Sequence, residues 1–159
     1  MSALSLTGAA RLGSVAPLIL RLVAGVIMAW HGYQKLIGGP AAFGGVLESL
    51  AVPAPVLMGW VVTLVELVGG VFLVVGLLTR LAALLLTLNL IGAIYLVKVD
   101  VGFITPVESP PAPGAELDLA LIACFLAILV LGAGRLSLDH LFGIEKRKPV
   151  LVDPKALSA

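Results

Sequence analysis

The chain is poor in charged residues and in cysteine. Only 12% of its 159 residues are charged and the formal net charge is +1, whereas soluble domains carry about 25% charged residues. So few charges cannot cover a water-soluble surface, and the near-neutral balance gives no indication of nucleic-acid binding. The single cysteine, Cys124, excludes an internal disulfide, a CxxC redox pair and a cysteine-based metal site within the chain.

Long apolar stretches dominate what is present. Hydrophobic residues make up 60% of the chain, and its mean hydropathy is +1.17. Four stretches approach the roughly 20 mainly apolar residues that a transmembrane helix needs. They are residues 15–36, 56–78, 81–99 and 117–133. Only Thr79 and Arg80 separate the second stretch from the third, so the chain must turn there in a tight helical hairpin. The sequence therefore predicts an all-α integral membrane four-helix bundle over residues 1–143 and a cytoplasmic C-terminal tail over residues 144–159.

The first apolar stretch has a second interpretation as a cleaved secretory signal peptide. However, Arg21 lies inside the stretch, and the stretch ends in Trp30, His31, Gly32 and Tyr33 rather than at a small-residue cleavage site. We therefore interpret it as the first span.

Basic residues are concentrated on one side of the predicted four-span topology. Cytoplasmic flanks of membrane proteins hold an excess of Lys and Arg. Eight of the ten basic residues lie in or beside the N-terminal segment, the 79–80 turn and the C-terminal segment, which share one side. The other side has only Lys35 and Lys98. We therefore expect both termini to lie in the cytoplasm.

A short apolar stripe occupies the connection between the first two spans. Phe43, Val46, Leu47 and Leu50 follow the i, i+3, i+4, i+7 spacing of one helical face. This spacing favours a short interfacial helix over approximately residues 41–51, lying on the outer leaflet. An ordinary ordered loop is the alternative.

Polar groups inside the predicted spans are the candidate functional residues, because lipid tolerates them poorly and they usually face the bundle interior. At 100° per residue, Arg21 and His31 share a face of the first span, while Glu66 and Asn89 lie on small-residue faces of the second and third. We expect these faces to meet, with Glu66 near the bilayer midplane. Lys35 is expected to extend to the outer surface.

Each polar residue has a structural interpretation beside the functional one. Glu66 could be a structural carboxyl, either kept neutral by desolvation or paired with Arg21. It could instead belong to a ligand or proton site shared with His31, and His31 could equally be a structural residue near the headgroups. Glu116 and Asp118 are expected to stabilise the N-terminus of the fourth span. We predict no metal site.

Four short motifs resemble the DoxX family. Residues 21–25 (RLVAG) and 31–36 (HGYQKL) are similar to its first helix, and residues 66–70 (ELVGG) and 76–80 (GLLTR) to its second helix and the turn that follows. With the four-span layout, the resemblance covers roughly residues 16–141. It implies a multi-pass protein of the bacterial cytoplasmic membrane. Some members of the wider DoxX and DoxD group are linked to a thiosulfate:quinone oxidoreductase, and mycobacterial DoxX is associated with a membrane redox complex.

Two functional hypotheses follow from the resemblance and the polar faces. In the first, the chain is a quinone-linked subunit of a redox-related membrane complex. Glu66 would exchange a proton and His31 would bond a quinone carbonyl, as the catalytic residues. Arg21 and Asn89 would join them in the cofactor-binding site, and a partner subunit would supply electrons. In the second, the chain is a noncatalytic anchor or assembly subunit among membrane lipids and other subunits. Haem is disfavoured, because His140 lies at the opposite end of the bundle from His31, and solute transport would require oligomerisation.

Overall fold

The computed structural model describes residues 15–99, 102–103 and 114–144, and the regular structure in these ranges is helical. The elements are α1 (Ala16–Gly38), α2 (Pro40–Ser49), α3 (Pro55–Val75), α4 (Thr79–Ala93) with a π-helical continuation (Ile94–Lys98), α5 (Glu116–Leu131) and α6 (Leu138–Leu141). Nearly all of the predicted C-terminal tail, from residue 145 onward, lies outside the described residues.

Proline and glycine mark most of the helix boundaries. Pro17, Pro40 and Pro55 lie in the first turns of α1, α2 and α3, where a missing N–H costs no intrahelical hydrogen bond. Gly39 (φ 91°) separates α1 from α2, and Gly76 (φ 72°) ends α3. Glycine takes such positive φ angles without a steric penalty, so the chain can turn sharply at both places.

Three of the four predicted spans are confirmed as helices long and apolar enough to cross a membrane. Among the described residues these are Ala16–Gly38, Pro55–Val75 and Thr79–Lys98. The stretch predicted as the fourth span is also helical, but α5 has only 16 residues because Gly132 ends it. Its length of about 24 Å is less than the roughly 30 Å of a hydrocarbon core. The fourth crossing and the cytoplasmic termini therefore stay predictions.

Helices α1 and α3 approach each other through glycine. A Cβ atom built on Gly32 would lie 2.3 Å from the backbone nitrogen of Leu67, and one built on Gly70 would lie 2.3 Å from that of Ala29. Any side chain at either glycine would therefore overlap the backbone of the facing helix. This is the close contact expected from the small residues on the two predicted polar faces.

The core draws on four helices. Its ten buried hydrophobic residues come from α1, α3, α4 and α5 and form one cluster. They are Ala24, Met28, Leu73, Ala82, Ala83, Leu86, Leu90, Leu121, Phe125 and Ile128. Helix α2 covers the beginning of α3, since a Cβ on Gly59 would lie 2.3 Å from the Pro40 carbonyl oxygen. The predicted helix over residues 41–51 is thus present as Pro40–Ser49.

The distribution of polarity is the reverse of that in a soluble domain. Arg21, Thr63, Glu66 and Asp139 are buried, whereas large hydrophobic side chains along α1, α3 and α4 are exposed on the outside of the helices. Water would disfavour such a surface, and lipid would not. The three span-capable helices and this apolar exterior are those of a membrane protein.

Candidate functional site

Glu66 joins three helices through its carboxylate. Glu66 lies on α3 and is only 5% exposed. The Nζ atom of Lys35, on α1, lies 2.5 Å from Glu66 Oε2, and the Nδ2 atom of Asn89, on α4, donates to Glu66 Oε1 at 3.1 Å. The predicted meeting of Glu66 with Asn89 is confirmed, and each carboxylate oxygen has a partner.

Lys35 does not extend to the outer surface as expected. Its ammonium group is drawn to Glu66 and leaves the side chain only 21% exposed. The physical reason is the α1–α3 contact at Gly32, which brings α1 against the backbone next to Glu66. Lys35 lies one turn further along α1, about 4.5 Å away, and so its long side chain reaches the carboxylate. Lys35 follows His31 by four residues and so lies on the same helical face.

An open cavity of about 240 Å³ adjoins this ion pair. It is lined by His31, Gln34, Lys35, Gly38, Gly39 and Phe43. The Lys35 Nζ atom lies 5.2 Å from the centre of the Phe43 ring, within cation–π distance. Lys35 therefore belongs to both features, because it binds Glu66 on one side and borders the cavity on the other.

His31 borders the same cavity but is exposed. Its Nδ1 atom lies 2.9 Å from the carbonyl oxygen of Ile27 on the same helix. A carbonyl oxygen can only accept, so Nδ1 carries the hydrogen, and Nε2 is the ring nitrogen left to bond a ligand. The structure brings His31 to Lys35 at the cavity wall, and Lys35 in turn to Glu66.

Arg21 is at the other end of α1 and does not meet Glu66. Its fully buried guanidinium donates from Nη2 to the carbonyl oxygen of Leu136 at 2.5 Å and from Nη1 to that of Leu73 at 3.4 Å. It also packs against Gly76, where a Cβ would overlap Nη1. The hypothesis of a Glu66–Arg21 pair is therefore wrong. Arg21 starts about 15 Å before His31 along the helix and extends toward the α3–α4 turn.

Asp139 was missed in the sequence and has a clear structural task. It is 1% exposed, and its Oδ1 and Oδ2 atoms accept hydrogen bonds from the backbone N–H groups of Leu78 and Thr79, at 2.7 and 2.8 Å. Its own N–H donates to the Gly76 carbonyl oxygen at 2.8 Å. Leu78, the N-cap of α4, has no capping side chain, so Asp139 supplies the cap from a distant segment. An acidic residue in an otherwise apolar LSLDHLF stretch was the available indication.

A second ion pair joins the π-helical continuation of α4 to α5. Lys98 Nζ lies 2.5 Å from Asp118 Oδ2, and both side chains are largely buried. Asp118 is in the first turn of α5, as expected, with Glu116. Its charge therefore faces the N-terminal end of α5 and also balances Lys98.

The family model of DoxX matches residues 16–99, slightly more than half of the chain. The chain belongs to the DoxX family. It is 33% identical over 127 residues to "Putative oxidoreductase CatD" of Bacillus subtilis, covering 79% of this chain and 85% of that protein. It is 32% identical over 133 residues to an uncharacterized membrane protein of Mycobacterium tuberculosis, covering 80% and 82%. An uncharacterized protein of Haemophilus influenzae is 32% identical over 127 residues, covering 77% and 87%. No solved structure matches the chain.

The polar site of this DoxX-family membrane protein can bind an oxygen-bearing ligand. An ammonium group has three N–H donors, of which one is directed to Glu66. The remaining donors of Lys35 are available at the cavity wall, which His31 also lines. Asn89 holds the other oxygen of Glu66 and thereby fixes the carboxylate. In the described ranges, no three His, Cys, Asp or Glu side chains are grouped to hold a metal ion.

Proposed function

We propose that this protein is a multi-pass subunit of a redox-related complex in the bacterial cytoplasmic membrane, with four spans. We propose further that the cavity beside Lys35 binds the ring of a quinone. The single observation that carries this proposal is the partly buried Lys35–Glu66 pair, whose Lys35 lines a cavity together with His31. A relative named as a putative oxidoreductase supports the reaction class.

The lining of the cavity suits the two halves of quinone chemistry. A quinone has a flat apolar ring and carbonyl oxygens that accept hydrogen bonds, and ligand sites commonly combine apolar walls with a few polar groups. Phe43 and the backbone at Gly38 and Gly39 offer surface to the ring. Lys35 donates to one carbonyl oxygen, and His31, protonated at Nε2, donates to the other.

Reduction of a quinone to a quinol takes up two electrons and two protons. We assign both electrons to a donor in a partner subunit, because the single Cys124 cannot form a disulfide pair within this chain. The Lys35–Glu66 pair delivers one proton and protonated His31 delivers the other, and both sites regain a proton from water outside the cavity. Glu66 thus acts through Lys35, its partner at the cavity wall, rather than on the quinone itself.

The alternative is a noncatalytic anchor or assembly subunit, and one observation favours it. Both oxygens of Glu66 are already hydrogen-bonded within the chain. Such a satisfied pair is sufficient to fix the register of α1, α3 and α4 without any further role. In that case the site would stabilise the fold without binding a ligand.

Quinone binding and folding can be separated with matched variants. Glu66→Gln leaves a lysine without its counter-charge, so the double variant Lys35→Gln/Glu66→Gln is included because it removes both charges together. Glu48→Gln, at an exposed position on α2, is the control. Native mass spectrometry of gently extracted protein measures bound quinone, and quinol formation is followed in the intact complex.

We expect the double variant to bind quinone about tenfold or more weakly, the usual effect of losing a hydrogen bond to a charged group. Glu66→Gln should also bind quinone more weakly, because Lys35 loses the carboxylate that holds it in place beside the cavity. Glu48→Gln should bind like the wild type. Unchanged quinone binding and turnover in a folded Glu66→Gln protein would refute the proposed site. Lower recovery of the assembled complex, with normal turnover per complex, would support the anchor function instead.

A further inference from the structure

The segment that follows α5 is folded back against the end of α3 by buried polar contacts. It turns at Gly132 and Gly134, with φ angles of 78° and 79°. Arg21 then binds the carbonyl oxygen of Leu136, and Asp139 caps α4 through two backbone N–H groups. These buried contacts fix the backbone of the segment, and its remaining side chains are left at the surface.

Those remaining side chains form an open groove of about 420 Å³. It is lined by Val75, Arg135, Leu136, Ser137, Leu138, His140 and Leu141. Among the described residues, the lining has two basic side chains and no carboxylate. Ser137 Oγ already donates to the Gly134 carbonyl oxygen at 2.7 Å and accepts from the His140 backbone N–H at 3.1 Å. Arg135 and the His140 ring are therefore the groups left to recognise a ligand.

Val75 indicates where the groove lies relative to the membrane. Val75 is the last residue of α3, a helix long and apolar enough to cross a membrane. The end of such a helix lies where the hydrocarbon core gives way to lipid headgroups. The groove is accordingly at headgroup level, with Arg135 at its rim.

Apolar side chains are exposed next to these cations. Leu136, Leu141 and Phe142 are 66%, 73% and 65% exposed. Leucine and phenylalanine at headgroup level can contact the first carbons of acyl chains, while arginine binds phosphate through two parallel N–H bonds. Basic pockets at the ends of membrane helices favour anionic headgroups.

We propose that this groove is a binding site for an anionic phospholipid. Arg135 and His140 contact the headgroup phosphate, and the acyl chains lie against Leu141, Phe142 and Val75. The positive charge of Arg135, with no carboxylate beside it among the described lining residues, selects anionic over zwitterionic lipid. This site is distinct from the Glu66 cavity and does not depend on quinone binding.

The test compares two lipids with the same acyl chains and the same phosphate group, one with an anionic headgroup and one with a zwitterionic headgroup. Full-length protein is delipidated in detergent and titrated with phosphatidylglycerol or phosphatidylcholine of the same acyl chains, and bound lipid is counted by native mass spectrometry. The wild type should prefer phosphatidylglycerol. Arg135→Gln should weaken phosphatidylglycerol binding about fivefold, the effect of one basic group near an anionic headgroup. It should weaken phosphatidylcholine binding less, because the choline cation offsets the charge of the phosphate.

Two further variants keep the test informative. Arg135→Lys keeps the charge and should keep the preference, whereas Lys155→Gln removes the same charge from the C-terminal tail and should have no effect. Because Arg135 is exposed, its replacement should leave thermal unfolding unchanged. No lipid preference in the wild type would overturn the proposal, as would an equal loss in Lys155→Gln. Displacement of the lipid by millimolar inorganic phosphate would also overturn it, by showing a site for free anions.

Discussion

The contact between α1 and α3 at Gly32 should be a sensitive point of the fold. In Gly32→Ala, the new methyl group would lie 2.3 Å from the Leu67 nitrogen and 2.6 Å from its Cα atom. Both neighbours are backbone atoms inside α3, so they cannot rotate away as a flexible side chain would. The two helices must separate by about 1 Å to reach ordinary van der Waals distance.

This separation has a cost on two levels. Overpacking of a tight interior typically costs about 1–3 kcal/mol, and a radial gap of about 1 Å also loses up to half of the dispersion attraction between the facing atoms. In a membrane those contacts hold helices together without help from a hydrophobic effect. The movement also takes Lys35 away from Glu66, so a change in stability and a change in the ion pair are expected together.

Gly92→Ala is the matched control, because a Cβ on Gly92 of α4 has nothing within 4 Å. Alanine is the better helix former by about 1 kcal/mol, so this variant should be as stable as the wild type or more stable. Reversible unfolding in mixed micelles of sodium dodecyl sulfate gives the free energy of unfolding for each variant. Equal stability of Gly32→Ala and Gly92→Ala would show that the glycine contact does not hold α1 against α3.

Two further predictions concern the far end of the molecule and the topology. Asp139→Asn should lower the free energy of unfolding by about 1–2 kcal/mol, because an amide can accept only one of the two backbone N–H bonds; an unchanged midpoint in the same micelle assay would contradict the cap. The four-span topology puts residue 49 outside the cell and residue 158 in the cytoplasm. In a chain without other cysteines, Ser49→Cys should react with a membrane-impermeant maleimide in intact cells, and Ser158→Cys should react only after the cells are opened. Labelling of Ser158→Cys in intact cells would argue for three crossings.

The length of an apolar stretch and the positions of the proline and glycine residues that bound it are local properties. The helices could therefore be predicted from the sequence. The spans predicted over residues 15–36, 56–78 and 81–99 correspond to helices that begin and end within three residues of these limits. Each contains a sustained apolar run, which only a helix can carry across lipid.

The fourth predicted span shows where this reasoning ends. Its apolar run extends to residue 133, but Gly132 has φ 78° and ψ −174°, which stops the helix after 16 residues. Composition detects that a segment is apolar and does not register where its backbone leaves the helical conformation.

Pairing between polar groups was the part that the tertiary structure decided. The sequence identified Glu66 and Asn89 as facing residues, and these do meet. It gave Glu66 the wrong cation, because position along a helix sets the depth of a Cα atom but not the direction of a long side chain. The register of α1 against α3 brings Lys35 to Glu66, while Arg21 is left to bind backbone carbonyl groups at the other end.

The sequence by itself determined the membrane character, the family and the long helices of this protein, since each follows from apolar length or from short motifs. Only the tertiary structure decided the partner of Glu66, the task of Asp139 and the groove beside Arg135. These depend on contacts between residues that are 31 to 115 positions apart in the sequence. Such contacts form when glycine allows two backbones to approach within the reach of a particular side chain, a distance that no local pattern records.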